Sequence, residues 1–284
     1  MKSFAFLSIS RRFVLGVFAA LLSLSAVPGW AQTMQKVQQS KELRIGVAPG
    51  DPGYYRDPAT GTWTGLGVMI GAAVAKDLGV KLVPVETTWG NCVAALQSGQ
   101  IDVMFVLDAT EERKKAVDFP ASPLLWYAQG VLTRDNLVAK NWSDLDKPGI
   151  RIGVALGTAT DRDLTKRLPH ANIERFANTD ETIAAFMSGR IDAFAFYDPA
   201  LVIAYSKIHK GKVQTPKPLV MQPTSAGVRR ETPPVFREYL NSEISKLYKS
   251  GKTQAMYVAY LKSKGIDAST LATLPGITKE SLER

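Results

Sequence analysis

The clearest pattern of hydrophobic and polar positions lies between residues 89 and 113. Its first part predicts a short apolar helix, and Gly99 follows where a helix ends in a left-handed residue. Residues 101–107 form a nearly continuous apolar run rich in branched side chains, which is typical of a strand buried on both faces. Thr110 then fits the N-cap of a second helix, with acidic residues in its first turn. Ligands of α/β proteins bind where a strand ends and a helix begins, and Arg113 lies in that first turn.

The same pattern recurs later in the chain. Residues 95–105 (ALQSGQIDVMF) and 185–195 (AFMSGRIDAFA) share the order helix, Ser-Gly, polar residue, Ile-Asp and apolar strand. Two similar units predict two similar lobes with a cleft between them.

The remaining chain alternates between strand and helix patterns, which predicts an α/β fold. Strands are predicted at 43–47, 80–85, 124–133, 151–154, 172–176 and 191–196. Further helices are predicted at 66–78, after the Gly-Thr turn at 157–160, and at 179–187, 233–249 and 253–262. Strand 124–133 and the Pro-rich segment 214–223 are the candidate crossings between the lobes. The polar tail up to residue 284 is predicted to be peripheral.

Composition narrows the function classes. The chain has 284 residues, 45% hydrophobic and 21% charged, which is ordinary for a globular protein. Its net charge is +9, but the lysines are scattered and no basic run interleaved with aromatic residues indicates nucleic-acid binding. The single cysteine, Cys92, lies in an apolar helix and is expected to be a buried small hydrophobe. With two histidines in the chain, neither a multi-histidine metal site nor a Ser-His-Asp triad is supported.

The N-terminus has the features of an export signal. Lys2, Arg11 and Arg12 precede an apolar stretch at residues 13–27, and Gly29 and Ala31 are the small residues of a cleavage site. We therefore predict a signal peptide over residues 1–31 and an exported protein. A membrane anchor is the alternative, although the run is shorter than the ~20 apolar residues of a membrane span. The pattern leaves open whether export is general or uses the twin-arginine route.

Several motifs, in this order, resemble the family 3 periplasmic solute-binding proteins of ABC importers, specifically the polar amino acid group. They are residues 41–48 (KELRIGVA), 63–85, 89–113, 117–123 (VDFPASP), 152–158 (IGVALGT) and 189–199 (GRIDAFAFYDP). The resemblance implies an α/β, two-lobed periplasmic binding protein fold of type II. Each lobe is then a mostly parallel sheet flanked by helices, and two hinge crossings join the lobes. The implied boundaries are 41–131 for lobe 1, 132–221 for lobe 2, and 222–284 for the return helices and tail.

The resemblance also implies partners and a site. The expected partners are a small-molecule ligand, amino acid-like or an organic acid, and an ABC permease in the inner membrane. The protein is expected to be a monomer, with no cofactor, no metal, no nucleic acid and no catalytic residue. Arg113 would grip the ligand's α-carboxylate, and Thr158 would assist from lobe 2. Tyr54 stands where an aromatic residue packs against the ligand, and Trp89 is either a second wall or a core tryptophan.

Departures from the family pattern bear on the ligand's cation. The acidic residue usual in the first loop is Ala48, and the usual aspartate of lobe 2 aligns with Tyr197, with Asp198 one residue late. Asp108 replaces a hydroxyl residue at the end of the core strand. Either Asp108 or Asp198 could take the ligand's ammonium, and Asp108 could instead cap the following helix. A larger or more apolar amino acid, an opine-like conjugate and another organic acid all fit as well as a polar amino acid.

Three function classes follow from this pattern. The first is a binding protein that delivers solute to an ABC importer. The second is a dehydratase-like periplasmic enzyme on the same fold, for which Asp108 or Asp198 would supply the acid or base. The third is a soluble sensor, or a helper of a periplasmic dehydrogenase.

Overall fold

The computed structural model describes residues 32–266 and 277–279. The predicted signal peptide lies outside these residues, as does most of the tail. No helix within the described ranges combines the length and apolar character needed to cross a membrane.

Strands and helices alternate along the chain. The elements up to residue 133 are α1 (Thr33–Ser40), β1 (Glu42–Val47), β2 (Tyr55–Arg56), β3 (Trp63–Thr64), α2 (Leu66–Leu78), β4 (Lys81–Glu86), α3 (Cys92–Gln97), β5 (Val103–Asp108), α4 (Glu111–Lys114) and β6 (Leu125–Thr133). The later elements are a 3-10 turn (Trp142–Asp144), β7 (Arg151–Ala155), α5 (Ala159–Arg167), β8 (Asn172–Phe176), α6 (Thr179–Ser188), β9 (Ala193–Tyr197), α7 (Asp198–Ile208), β10 (Lys212–Gln214), β11 (Met221–Val228), α8 (Val235–Lys249) and α9 (Lys252–Ser263).

Nine strands form one curled, mixed sheet with two similar halves. The first half has the order β4-β1-β5-β11, in which β1 is parallel to both β4 and β5 and β11 is antiparallel. The second half has the order β6-β9-β7-β8, in which β7 is parallel to β8 and β9, while β10 pairs with β6. The first half has one buried apolar cluster, and the second half has two. The predicted α/β fold of two lobes is confirmed.

The two halves are joined through β6 and β11. The first four residues of β6 pair with β11, and from Gln129 onward β6 pairs with β9 instead. Beside this change of partner, the Gln129 amide donates to the Val220 carbonyl at 2.9 Å, just before β11 begins. Both strands therefore pass from one half to the other side by side, as a double hinge requires. The predicted boundaries at 131 and 221 lie at these strands and stay predictions.

The sequence repeat has a matching structural repeat. In the first half, Asp102 receives hydrogen bonds from the backbone amide and the side chain of Arg44, with Nε to Oδ2 at 3.1 Å. In the second half, Asp192 receives the same set from Arg151, with Nε to Oδ2 at 3.0 Å. Each Asp-Arg pair ties the start of one strand to the segment before its parallel neighbour by a bidentate contact. The Ile-Asp echo thus marks two equivalent strand pairs.

Most predicted elements occur within a residue or two of their expected positions, and Cys92 is fully buried as expected. Gly99 and Gly189 both have the positive φ expected after a helix. Two helices, α1 and α7, were missed. The expectation of a peripheral tail is wrong for Ile277, which is 2% exposed and packs into the core of the first half.

Candidate functional site

A cleft lies where β5 and β9 end and α5 begins. Its polar lining includes Asp108, Arg113, Tyr127, Thr158, Tyr197 and Thr224. Its apolar lining includes Leu66, Trp89, Val106, Leu125, Phe196 and Ile277. Both halves of the fold contribute, at the strand ends where α/β proteins bind ligands.

Arg113 spans the two halves at the polar part of the cleft. It lies in α4, whose N-cap is Thr110: the Thr110 hydroxyl accepts the Arg113 amide at 3.2 Å, as predicted for this helix start. The guanidinium donates from Nη1 to the Asp108 carbonyl at 3.1 Å and from Nη2 to the Gly157 carbonyl at 3.2 Å. Its Nε is buried and has no hydrogen-bond partner among the described residues. The side chain is fixed at two points and retains donors for an anion.

Gly157 and Thr158 form the turn from β7 into α5. Gly157 has a φ of +76°, and a Cβ there would lie 2.8 Å from the Gly90 backbone of the first half, so glycine is required for this close approach. Thr158 caps α5 by accepting the Asp161 amide at 3.2 Å, and its hydroxyl donates to the Ala155 carbonyl at 2.8 Å. The positive end of α5 is therefore directed at the cleft.

Asp108 ends β5 beside Arg113. It pairs across the strands with Thr224, and neither Asp108 Oδ1 nor Thr224 Oγ1 has a hydrogen-bond partner among the described residues. Burial raises the pKa of Asp108 to about 6, with the Arg113 guanidinium and the Tyr127 hydroxyl acting in the opposite direction. Asp108 does not cap α4, because Thr110 fills that position. Its Oδ1 atom is therefore available to meet a cation in the cleft.

A bulge in β5 positions this end of the strand. The pairing between β5 and β11 skips one residue, from Phe105 opposite Ala226 to Leu107 opposite Ser225. The skipped residue, Val106, has a φ of +53°, a conformation that costs a β-branched residue about 1–3 kcal/mol. The bulge places Val106 in the cleft lining and Asp108 opposite Thr224.

Of the two aromatic residues expected as cleft walls, Trp89 lines the cleft and Tyr54 does not. Trp89 is held by a hydrogen bond from its Nε1 to the Pro49 carbonyl at 3.0 Å. Tyr54 is fully buried behind it, with ring centroids 6.1 Å apart, and its hydroxyl donates to the Phe105 carbonyl at 2.9 Å. Gly67 leaves the space that the Tyr54 ring occupies, since a Cβ there would lie 2.4 Å from it. The structure places Tyr54 in the core and not in the cleft lining, because the core offers this ring both space and an acceptor.

Tyr197 and Asp198 are neighbours with different positions. Tyr197 lines the cleft, and its hydroxyl donates to the Asp51 carbonyl of the first half at 3.4 Å. Asp198 is absent from the described lining: its carboxylate is buried and accepts the Ala128 amide at 3.1 Å. That amide is on the edge of β6 where pairing with β11 stops and pairing with β9 begins, so it needs an acceptor. Burial raises the pKa of Asp198 to about 7.

The structure therefore brings together Trp89, Asp108, Arg113, Thr158 and Tyr197 from the expected set. Sequence reasoning missed other members of the lining, including Tyr127, Thr224 and Ile277. Tyr127 lies in the strand that was expected to cross between the lobes, and Thr224 lies in β11, one residue beyond the segment 214–223 expected as the return crossing. Ile277 carried no local signal, because it reaches the cleft through tertiary contacts.

Within the described residues, no group of three or more histidine, cysteine or acidic side chains is arranged to hold a metal ion. The cleft instead combines one cation, one anion, hydroxyl groups and a large apolar wall. Such a lining is complementary to a small organic molecule that carries both an anionic and a cationic group.

This fold and cleft define the class of two-lobed α/β binding proteins. The chain belongs to the bacterial extracellular solute-binding proteins, family 3, whose model matches residues 43–263. It is similar to the glutamine-binding protein of an ABC transporter from Bacillus subtilis, with 27% identity over 212 residues, covering 73% of this chain and 76% of the relative. It is also similar to the L-cystine-binding protein of Escherichia coli strain K12, with 25% identity over 252 residues, covering 87% and 94%.

Solved structures agree with this assignment. One is an ancestral amino acid-binding protein, a precursor of cyclohexadienyl dehydratase: it is 30% identical with a TM-score of 0.73, covering 80% of this chain and 99% of that one. Another is a solute receptor for L-cysteine from Neisseria gonorrhoeae, 26% identical with a TM-score of 0.70, covering 84% and 98%. The predicted family and fold are confirmed.

Proposed function

We propose that this protein binds an α-amino acid, or a closely related molecule with both a carboxylate and an amine, and delivers it to the permease of an ABC importer. The main support for this proposal is that Arg113 and Asp108 line the same cleft. Each has a buried polar atom that lacks a hydrogen-bond partner among the described residues. Buried polar groups are costly unless they are hydrogen-bonded. A zwitterion supplies the missing partner to both.

Arg113 would hold the ligand's carboxylate. Its Nε and the remaining N–H groups of its fork can form two parallel charge-assisted hydrogen bonds. The N-terminus of α5, with Thr158 as its cap, adds positive potential from the other half of the fold. Closure on a carboxylate would therefore be favoured by groups from both sides of the cleft.

Asp108 would hold the ligand's ammonium. The choice between Asp108 and Asp198 favours Asp108, because its Oδ1 lacks a partner while Asp198 accepts the Ala128 amide behind the cleft. Thr224, opposite Asp108, offers its hydroxyl as a second acceptor. Tyr197, at the position of the usual lobe 2 aspartate, contributes an aromatic wall instead of a charge.

The relatives support the same class of ligand and partner. The two curated relatives named above are binding proteins for glutamine and for L-cystine, and the first is assigned to an ABC transporter. Family members are extracellular, which is consistent with the export signal predicted over residues 1–31. In this proposal the protein works in the periplasm and needs no cofactor.

One observation favours a second candidate, a dehydratase-like activity. Asp108 has a pKa near 6 in an apolar cleft beside an arginine, a setting suited to proton transfer at neutral pH. One structural neighbour is a binding protein that preceded a dehydratase. Incubating the purified protein with candidate substrates and measuring product by mass spectrometry separates the two functions, since a binding protein returns every ligand unchanged.

A thermal-shift screen over amino acids and organic acids tests the proposal directly. A ligand at 100 times its dissociation constant stabilises the folded state by about 2.7 kcal/mol. For a chain of this size we expect a rise in melting temperature of about 5–10 °C. A screen in which organic acids without an amine raise the melting temperature and no amino acid does would contradict the proposal.

Ligand binding is also expected to close the cleft. The two halves touch through the Arg162–Glu112 ion pair at 2.7 Å and through Lys207 with Asp51 at 3.2 Å, besides the contact from Arg113 to the Gly157 carbonyl. These contacts describe the closed arrangement, and the double crossing at β6 and β11 allows an open one. Small-angle scattering should give a smaller radius of gyration with saturating ligand than without. An unchanged radius would count against a cleft that closes.

A further inference from the structure

We infer that the ligand is an α-amino acid with an apolar side chain, and that Ile277 is the specificity-determining residue that limits the length of this side chain. The inference rests on the proposed function and names the ligand class for the same cleft.

The cleft offers no charged residue that could pair with a charged side chain of the ligand. Asp108 and Arg113 are the only charged side chains that line it within the described part of the chain. A zwitterion uses one of them for its ammonium and the other for its carboxylate. A further charged group on the ligand would be desolvated in the cleft without an oppositely charged partner, which is strongly unfavourable. The lining therefore selects against lysine-like and glutamate-like ligands.

The remaining wall is apolar or aromatic. Leu66, Val106, Leu125, Phe196, Tyr257 and Ile277 supply most of it. Burying a methylene group against such a surface strengthens binding about fourfold. The lining therefore favours a ligand with an aliphatic side chain.

Ile277 is fixed in this wall by its backbone. Its amide donates to Gln254 Oε1 of α9 at 2.9 Å, and its carbonyl accepts the Trp126 amide of β6 at 2.8 Å. Gln254 and Tyr257 are three residues apart on α9 and share one face, so the helix that holds Ile277 also presents Tyr257 to the cleft. Two hydrogen bonds and 2% exposure make the Ile277 side chain a wall in a defined position.

Strand pairing places this wall at a measurable distance from Asp108. Asp108 in β5 pairs with Thr224 in β11, and Thr224 pairs with Leu125 in β6. Ile277 lies on the far side of β6, bonded to the next residue, Trp126. Three spacings between neighbouring chains separate the backbones of Asp108 and Ile277, roughly 14 Å in all. An amino acid held at Asp108 can extend across β11 and β6 only until its side chain meets Ile277.

Calorimetric titration with unbranched α-amino acids tests both parts of the inference. The series is 2-aminobutyrate, norvaline, norleucine, 2-aminoheptanoate and 2-aminooctanoate, with lysine as norleucine that carries one added amine. For the unaltered protein we expect affinity to rise about fourfold per methylene to a limit, then to fall at least about tenfold at the next homologue. Lysine should bind at least about 100-fold more weakly than norleucine.

Variants of the full chain locate the limit. Ile277→Ala removes three carbon atoms from the wall and should move the limit to a longer homologue, whereas Ile277→Phe should move it to a shorter one. Ile266→Ala is the matched control: Ile266 is also buried and lies near the same helix, but it does not line the cleft, so the limit should stay unchanged. If Ile277→Ala does not fold, Ile277→Val and Ile277→Phe carry the comparison.

The outcomes separate the inference from the function beneath it. If no member of the series binds the unaltered protein, the apolar ligand class is wrong, and if no amino acid in the thermal-shift screen binds either, the amino acid proposal itself fails. If the series binds but lysine binds as well as norleucine, the apolar ligand class is wrong. If the length limit is the same in the Ile277 variants and the unaltered protein, Ile277 is not the specificity-determining residue.

Discussion

Replacing Arg113 with alanine should weaken binding of an α-amino acid at least about 100-fold, or ~3 kcal/mol. The loss follows from removing a buried, charge-assisted grip on the carboxylate, which leaves that carboxylate desolvated without a partner. Arg113→Lys should also lose at least about tenfold, because an ammonium lacks the planar fork that matches two carboxylate oxygens. Calorimetric titration of both variants against the unaltered protein measures these losses.

Arg162→Ala is the matched control for this experiment. Arg162 donates to the same Gly157 carbonyl, at 2.9 Å, and pairs with Glu112 across the two halves, but it does not line the cleft. It removes an arginine and a contact between the halves without touching the proposed ligand, so affinity should stay within about threefold of the unaltered value. Equal losses in both variants would mean that Arg113 acts by holding the halves together. If Arg113→Ala binds with unaltered affinity, Arg113 does not bind the ligand's carboxylate.

The features that the sequence predicted well are those with local causes. The helix–glycine–strand unit before Asp108 follows from apolar periodicity and from a glycine with positive φ, and both act within a few residues. The N-cap at Thr110 also depends on the next three residues alone. The repeat was visible because Asp102 and Asp192 make the same contacts in equivalent strand pairs.

The features that the sequence did not predict have distant causes. Tyr54 enters the core because Gly67 and the Phe105 carbonyl, far along the chain, leave it space and an acceptor. Asp198 lies outside the cleft because its carboxylate accepts the Ala128 amide of β6, which has no partner in a neighbouring strand. Ile277 reaches the lining through bonds to Gln254 and Trp126. None of these contacts has a signature within a local window, so periodicity and capping rules could not have revealed them.

Replacing Asp108, the anion of the cleft, is expected to have the second large effect on binding. Asp108→Asn should weaken binding of an α-amino acid at least about tenfold, a loss of ~1.4 kcal/mol, because the amide keeps the shape of the side chain and loses its charge. The melting temperature should stay within a few degrees, since Thr110 and not Asp108 caps the following helix. The same acid without its amine should bind the variant at least as well as the unaltered protein, because the carboxylate that opposes it has been removed.

The pH dependence of binding gives an independent test of the same charge. Burial raises the pKa of Asp108 to about 6, so this side chain is charged above that pH and becomes neutral as the pH falls through it. An ammonium needs the charged form, and affinity for an amino acid should therefore be constant from about pH 7 up to the pH at which the ligand's own amine loses its proton, and fall about tenfold per unit below the pKa of Asp108. The amine-free acid should show the opposite sign and bind better as Asp108 becomes neutral. In Asp108→Asn both dependences should disappear.

Asp198→Asn is the matched control that assigns the effect to one carboxyl group. Its side-chain oxygen can still accept the Ala128 amide, so the variant should fold, and its affinity for the amino acid should match the unaltered protein because Asp198 does not line the cleft. Burial also raises the pKa of Asp198, to about 7, so the two variants and not the midpoint of the pH dependence assign the effect. A loss of affinity confined to Asp198→Asn would transfer the ammonium contact to the buried carboxyl behind β6. A loss confined to Asp108→Asn, with its pH dependence removed, assigns the contact to the end of β5, where the bulge at Val106 sets the register of the strand.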